Sequence, residues 1–153
     1  MKEIRKTEKE NGMDGDFLFI TEIGCMDGRE TEPVERFIKN NVVSKDESRE
    51  IAIDKVTEPG MDAILSGESK FTPIFQVYKK AEISAKHHES STAIVVGHSS
   101  CAGNPVEDSI HIKQIEKSVK VVSGWNLFTK IIGVFVDAKR EVQIISSIGE
   151  GKV

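Results

Sequence analysis

An uninterrupted apolar segment in the middle of the chain limits the fold most. Residues 92–98 read Thr-Ala-Ile-Val-Val-Gly-His, with β-branched side chains at four of the seven positions. A strand that is apolar on both faces is typical of the centre of a parallel sheet, where helices cover both sides. Because parallel neighbours need long crossover connections, which are usually helices, this segment favours an α/β fold.

Four more segments have the composition of strands, and they lie at residues 16–25, 50–56, 130–137 and 141–145. The last of these follows a turn at 138–140, so we expect it to return antiparallel. The others alternate with helices, which predicts a mainly parallel sheet with right-handed crossovers. Such sheets bind ligands at the carboxyl ends of strands, where the winding order reverses. In the strand order 2-1-3-4, the first and third strands would be neighbours at that point.

Three helices between the strands are predicted from their N-terminal signals. Thr31 is an expected N-cap with Pro33 in the first turn, and Thr72 with Pro73 opens the next helix in the same way. Residues 104–107, Asn-Pro-Val-Glu, combine a cap, a proline at the first helical position and a glutamate at the third. Apolar residues at helical spacing follow each start: Val34, Phe37, Ile38 and Val42; Ile74, Val77, Tyr78, Ala81 and Ala85; Ile112, Ile115, Val119 and Val122.

Charge and composition exclude several classes of protein. The net charge is −4 and no stripe of Lys and Arg is present, so we expect no nucleic-acid partner. No apolar run approaches the ~20 residues that span a bilayer, so no membrane association is expected. Residues 1–15 are highly charged and lack the apolar region of a secretory signal. They are expected to be flexible or to pack on a partner, while residues 16–153 form a single α/β domain in the cytoplasm.

Three side chains that suit a metal ion stand at the ends of predicted strands. Cys25 ends the first strand, His98 ends the third, and Cys101 follows three residues later. Zinc favours thiolate and imidazole ligands in tetrahedral geometry, and a set of three protein ligands leaves a fourth position for water, as in catalytic sites. The alternative is a pair of inert, buried cysteines with a core histidine, and spacing alone does not decide between the two readings.

An aspartate and an arginine follow closely after the first of these residues. Asp27 lies two positions beyond Cys25, and Arg29 lies two positions further on. A carboxylate there can accept a hydrogen bond from a hydroxide on the metal, and an arginine can hold that carboxylate ionised and oriented. Taken alone, such a pair is more often a surface ion pair or part of a turn. Beside a metal ligand at a strand end, it is better interpreted as support for the site.

Two motifs together resemble the signature of the β-class carbonic anhydrases: Cys25-x-Asp27-x-Arg29 and His98-x-x-Cys101-x-Gly103. The resemblance covers roughly residues 16–147. It implies a 2-1-3-4 parallel sheet with an antiparallel fifth strand, helices on both faces, and Zn²⁺ bound by the two cysteines and the histidine. It also implies a zinc lyase that hydrates carbon dioxide reversibly to bicarbonate by a zinc-bound hydroxide, with the Asp–Arg pair controlling the fourth zinc position.

The chain also departs from the pattern of that family, as a compact and divergent member would. Residues 57–62, Thr-Glu-Pro-Gly-Met-Asp, stand where the family usually has Arg-x-x-Gly-Asn, and Ala102 replaces the first glycine after the second cysteine. The long N-terminal helices that embrace a partner subunit are nearly absent. Three alternatives therefore stay open: a zinc hydrolase of a sulfur-containing carbon dioxide analogue, a non-catalytic zinc-binding domain, and a Cys25–Cys101 redox pair.

A partner subunit is expected for two reasons. The family resemblance implies a homodimer or a higher even oligomer, with active sites at the subunit interface. In addition, a 153-residue core has little room for the apolar side chains that cluster between residues 61 and 75, namely Met61, Ile64, Leu65, Phe71 and Ile74. The alternative is that this segment folds over its own domain.

The remaining histidines receive no assigned role. His87 and His88 are expected at a solvated helix end. His111 lies early in the helix after the metal loop, and a proton-shuttle role for it has no further support in the sequence.

Overall fold

A five-stranded sheet organises the chain, and the computed structural model describes residues 15–149. The strands are β1 (Phe17–Gly24), β2 (Glu50–Thr57), β3 (Thr92–His98), β4 (Lys130–Val136) and β5 (Val142–Ile148). Their order is β2-β1-β3-β4-β5; the first four run parallel, and β5 is antiparallel to β4. The predicted α/β fold with a 2-1-3-4 sheet and an antiparallel fifth strand is confirmed.

Helices cover both faces of this sheet. On one face lies α1 (Thr31–Phe37), with a 3-10 turn before it (Gly28–Glu30) and a π-helical turn after it (Ile38–Val42). On the other face lie α2 (Met61–Leu65), α3 (Ile74–His87) and α4 (Asp108–Gly124). No helix in the range 15–149 has the length and apolar character needed to cross a membrane.

Each face of the sheet has its own apolar core, because successive side chains of a strand point to opposite faces. In β3, Ala93 and Val95 pack toward α2, α3 and α4, while Ile94 and Val96 pack toward α1. All four are completely buried, as the apolar composition of residues 92–98 predicts. This central strand therefore anchors both layers and holds His98 at its carboxyl end.

The helix starts differ from the predicted ones. Thr31 is the first residue of α1 rather than its N-cap, because the chain already turns helically at Gly28, and Asp27 caps that turn by accepting a hydrogen bond from the Arg29 N–H at 2.9 Å. Thr72 does not cap α3 either. Its hydroxyl donates to Glu58 Oε2 at 2.9 Å, and the helix begins at Ile74 after Pro73.

The predicted start of the last helix is wrong for a similar reason. The helix α4 begins at Asp108, after Glu107, and not at the Asn-Pro-Val-Glu segment. The side chain of Asn104 is buried, and its amide donates to Asp62 Oδ1 and Gln114 Oε1 instead of capping a helix. A tertiary contact has replaced the local one.

The sheet register brings the carboxyl ends of β1 and β3 side by side. Residues Thr21 to Ile23 pair with Ala93 to Val95, so Cys25 and His98 leave the sheet at the same edge. Residues 1–15 were expected to be flexible or to pack on a partner. Apart from Gly15, they lie outside the described residues.

Candidate metal centre

Three potential metal ligands converge at the carboxyl ends of β1 and β3. The ligand atoms of Cys25, His98 and Cys101 all lie within 4.8 Å of one another, and the three residues are buried. The two sulfur atoms are 3.8 Å apart, and both cysteines are free. Residues that are far apart in the sequence thus meet where the strand order predicts.

His98 is oriented with one ring nitrogen toward this cluster. Its Nδ1 lies 2.8 Å from the carbonyl oxygen of Ser99, and because a carbonyl only accepts, Nδ1 carries the proton. The Nε2 atom is then a lone-pair donor for a metal, and it is buried with no hydrogen-bond partner among residues 15–149. Burial lowers the pKa of His98, but the Cys25 thiolate and the Ser99 carbonyl outweigh it, so the net shift is upward.

The two cysteine thiols are hydrogen-bonded to each other, with their sulfur atoms 3.8 Å apart. A hydrogen bond from the Cys101 thiol lowers the pKa of Cys25 to about 4, with a further contribution from the N–H of Gly60, which lies 3.5 Å from the Cys25 sulfur. The pKa of Cys101 is raised for the same reason, because its proton is held by the neighbouring thiolate. A thiolate beside an unpartnered imidazole nitrogen is the donor set that zinc prefers.

Asp27 and Arg29 form a two-pronged ion pair beside the cluster. The Arg29 Nη2 donates to Asp27 Oδ2 at 2.6 Å, and Nε donates to Oδ1 at 3.0 Å. The same Nη2 also donates to the carbonyl oxygen of Ser100 at 3.0 Å, so the pair is tied to the loop that carries Cys101. The Arg29 hydrogen bond lowers the pKa of Asp27 to about 2, and Asp27 Oδ2 lies 3.9 Å from His98 Nε2.

A cavity of about 100 Å³ is lined by His98 and by Arg29 of the ion pair. Its lining is mixed and includes two arginines, two acidic residues, two serines and two apolar residues. The lining residues are Arg29, Glu30, His98, Ser99, Ser100, Val136, Asp137, Ala138 and Arg140. Glu30 has no sequence signal that predicts a place in the site. It is 2% exposed, neither carboxyl oxygen has a hydrogen-bond partner within the described range, and burial raises its pKa to about 10.

The remaining histidines lie at the helix positions that the sequence predicted, but His88 and His111 have partners that it did not predict. His87 is exposed at the last residue of α3. His88 caps that helix end and is only partly exposed, because its Nδ1 bonds to Asp54 Oδ2 at 2.6 Å and its ring stacks on Phe19. His111 is completely buried, and its Nδ1 donates to Asp62 Oδ2. No sequence signal identified this second pair, because 49 residues separate its members.

Comparisons with known proteins agree with this arrangement. A family model described as "Putative carbonic anhydrase" matches residues 15–146. A search of curated protein sequences finds no match. A tetrameric β-carbonic anhydrase from Sordaria macrospora superposes with a TM-score of 0.55 at 14% identity, over 97% of this chain and 91% of that chain.

Two further solved structures have the same fold. Isoform I of the β-carbonic anhydrase from Trichomonas vaginalis gives a TM-score of 0.55 at 16% identity, over 94% of this chain and 96% of that chain. The apo form of a carbon disulfide hydrolase gives a TM-score of 0.56 at 10% identity, over 99% of this chain and 96% of that chain. The family model spans most of the described residues, and the sheet order is the one expected of the family. This chain therefore belongs to the β-carbonic anhydrase family.

Proposed function

We propose that this chain binds one zinc ion through Cys25, His98 and Cys101 and hydrates carbon dioxide reversibly to bicarbonate. The observation that carries the proposal is the convergence of two sulfur atoms with the unpartnered Nε2 of His98. Zinc held by three protein ligands lowers the pKa of a bound water to about 7 and so supplies hydroxide at neutral pH. The reducing cytoplasm expected from the sequence would keep both thiols available as ligands.

Asp27 is the proposed catalytic residue, and Arg29 is its positioning residue. Because the pKa of Asp27 is about 2, its carboxylate is ionised at neutral pH and only accepts hydrogen bonds. Its Oδ2 stands 3.9 Å from His98 Nε2, at the side of the cluster that faces the ion pair. From there it can accept a hydrogen bond from an attacking hydroxyl group and so aim the oxygen lone pair at the substrate.

The adjoining cavity, with a volume of about 100 Å³, is the space beside the cluster that a small substrate would occupy. Val136 and Ala138 contribute apolar surface, which suits a linear, uncharged molecule such as carbon dioxide, and the guanidinium of Arg140 suits an anionic product.

A homodimer, or a higher even oligomer, is part of the proposal. Phe71 is 72% exposed and Phe75 is 65% exposed, with Ile74 between them, and large side chains grouped in this way suit a partner surface. Of the five apolar side chains singled out in the sequence, Met61, Ile64 and Leu65 are buried in the core of their own domain, whereas Phe71 and Ile74 are exposed. The apolar surface left for a second copy is therefore smaller and lies around the start of α3.

The decisive experiment combines zinc quantitation with a stopped-flow carbon dioxide hydration assay on the purified protein. We expect about one zinc per chain and turnover that Asp27→Asn reduces at least 100-fold without loss of zinc, because an amide cannot make the same charge-assisted hydrogen bond. The matched control is Asp46→Asn, in the loop before β2 at the opposite edge of the sheet, which should retain full turnover. Bound zinc with no carbon dioxide hydration would indicate a non-catalytic zinc-binding domain. Purified protein that contains no zinc would overturn the proposal.

A second candidate, hydrolysis of a sulfur analogue of carbon dioxide, is favoured by one comparison. The carbon disulfide hydrolase aligns over nearly the whole of both chains. The same residues would serve, since such a substrate is also small, linear and uncharged. Hydrogen sulfide release from carbon disulfide, with no hydration of carbon dioxide, would select this function.

A further inference from the structure

A cluster of buried polar side chains, which the proposed reaction does not use, connects α2, α4 and the loop that carries Cys101. Asp62 in α2 accepts a hydrogen bond from Asn104 Nδ2 at 3.0 Å and another from His111 Nδ1. Asn104 Nδ2 also donates to Gln114 Oε1 at 2.6 Å. Each of the four residues is at most 6% exposed. Buried polar groups are tolerated only when their partners are held in place, so this cluster fixes the three segments relative to one another.

Both segments joined by the Asp62–Asn104 hydrogen bond also carry N–H groups that face the sulfur atoms. Gly60, which precedes α2 with a φ of +65°, gives its N–H to the Cys25 sulfur at 3.5 Å. On the other segment, Gly103 and Asn104 make backbone hydrogen bonds to the Cys101 thiol. N–H groups that point at sulfur stabilise the thiolate, which is the form that binds metal.

The backbones of the two segments are in direct contact. A Cβ atom on Gly60 would lie 2.6 Å from the carbonyl oxygen of Gly103, and a Cβ atom on Gly103 would lie 2.7 Å from the nitrogen of Gly60. The Asn104 N–H closes the turn onto the carbonyl oxygen of Cys101 at 3.3 Å. With so little clearance, a shift of Asn104 moves the N–H groups that face both sulfur atoms.

We propose that Asp62 and Asn104 are positioning residues for the two thiolates, and that their hydrogen bond sets the metal affinity of the site. This inference rests on the metal binding proposed above and deepens it. Residues that orient metal ligands from outside the coordination sphere typically change metal affinity by about 10- to 100-fold. Neither residue lines the cavity, so we expect the side chains of Asp62 and Asn104 to act on the thiolates through the backbone N–H groups that they hold in place.

Cobalt(II) is a suitable probe, because its absorption includes a sulfur-to-metal charge-transfer band that responds to the thiolates. Asn104→Ala is expected to weaken cobalt binding at least tenfold, measured by competition with a chromophoric chelator, and to shift that band. Asp62→Asn keeps the shape of the side chain and accepts hydrogen bonds more weakly, so we expect a smaller change in the same direction. If Asn104→Ala does not fold, Asp62→Asn provides the test of the same hydrogen bond.

Ser84→Ala is the matched control. Ser84 is also buried and also joins a polar network, with Thr21 and Asp54, but it lies on α3 and touches no residue of the metal loop. It should lower the melting temperature and leave the cobalt affinity and spectrum unchanged. Wild-type affinity and spectrum in a folded Asn104→Ala or Asp62→Asn protein would overturn the inference, as would an equal loss in Ser84→Ala. A wild-type protein that binds no metal would instead overturn the proposed function.

Discussion

Replacing the buried carboxyl group of Glu22 by an amide should remove a large part of the pH dependence of stability. Glu22 lies in the central region of β1, is 3% exposed, and its Oε2 has no hydrogen-bond partner among residues 15–149. Burial raises its pKa from 4.5 to about 7, although Lys55, its neighbour across the β1–β2 ladder, opposes the shift. Between about pH 4.5 and 7, the folded protein therefore keeps a proton on Glu22 that the unfolded chain has released.

The sign and size of the effect follow from this difference in pKa. Because the folded-state value is the higher one, the favourable contribution is complete below about pH 4.5 and is lost as the pH rises through about 7. One pKa unit corresponds to about 1.4 kcal/mol, so a shift of 2.5 units, from 4.5 to about 7, amounts to about 3 kcal/mol. Glu30, whose pKa is raised to about 10, adds its own pH dependence over this range, but it is present in both the wild type and the variant and therefore largely cancels in the difference between them.

The assay is urea denaturation of the wild type and Glu22→Gln at closely spaced pH values from 4 to 8. The difference in unfolding free energy should move by about 3 kcal/mol in favour of the variant across this range, and it should level off above the upper pKa. Glu116→Gln, on the exposed face of α4, is the control and should give a difference that does not vary with pH. A constant difference for Glu22→Gln would refute the reasoning, since it would mean that the Glu22 carboxylate has found a partner in the folded state.

Three other predictions concern the metal, the glycine contact and the partner surface. Cys101→Ser should remove most of the zinc and lower the melting temperature, because metal affinity contributes to folding, and full zinc content in that variant would show that the ligand set is wrong. Gly103→Ala should lower the unfolding free energy by about 1–3 kcal/mol in urea denaturation, because its Cβ would meet backbone atoms at 2.7 Å, whereas Gly28→Ala, with nothing within 4 Å, should change little. Phe75→Ser should weaken self-association at least about tenfold in light scattering across a dilution series, and unchanged association would move the interface elsewhere.

The strands could be predicted because their signal is local. Residues 92–98 are predicted and observed with the same bounds, since an apolar run with β-branched side chains is unambiguous in this context. The last strand is longer than predicted. It continues through Ser146 and Ser147 to Ile148, because pairing of its backbone with β4 compensates for polar side chains at the edge of the sheet.

The candidate site could be predicted only as far as the residue types at strand ends allowed. Cys25, His98 and Cys101 stand at such ends, and the structure brings them together. Asn104 has the sequence context of a helix cap. Its side chain instead donates a hydrogen bond to Asp62, which is 42 residues away in the sequence. Glu30 follows Arg29 in a charged stretch, where exposure is the ordinary expectation, and only the close approach of α1 to the sheet buries it.

The chain separation between the two sulfur ligands has a consequence for the order of assembly. Cys25 and Cys101 are 76 residues apart, whereas His98 and Cys101 belong to one turn. In an unfolded chain His98 and Cys101 are close in sequence, whereas Cys25 can join them only when β1 docks beside β3. A metal that bridges the cysteines closes a long loop, and an equivalent covalent link would restrict the unfolded chain by about 4.5 kcal/mol in the chain-entropy model. Tight metal binding would therefore require that the β2-β1 part of the sheet is docked on the β3-β4-β5 part. We expect separation of β1 from β3 to release the ion before the rest of the fold is lost.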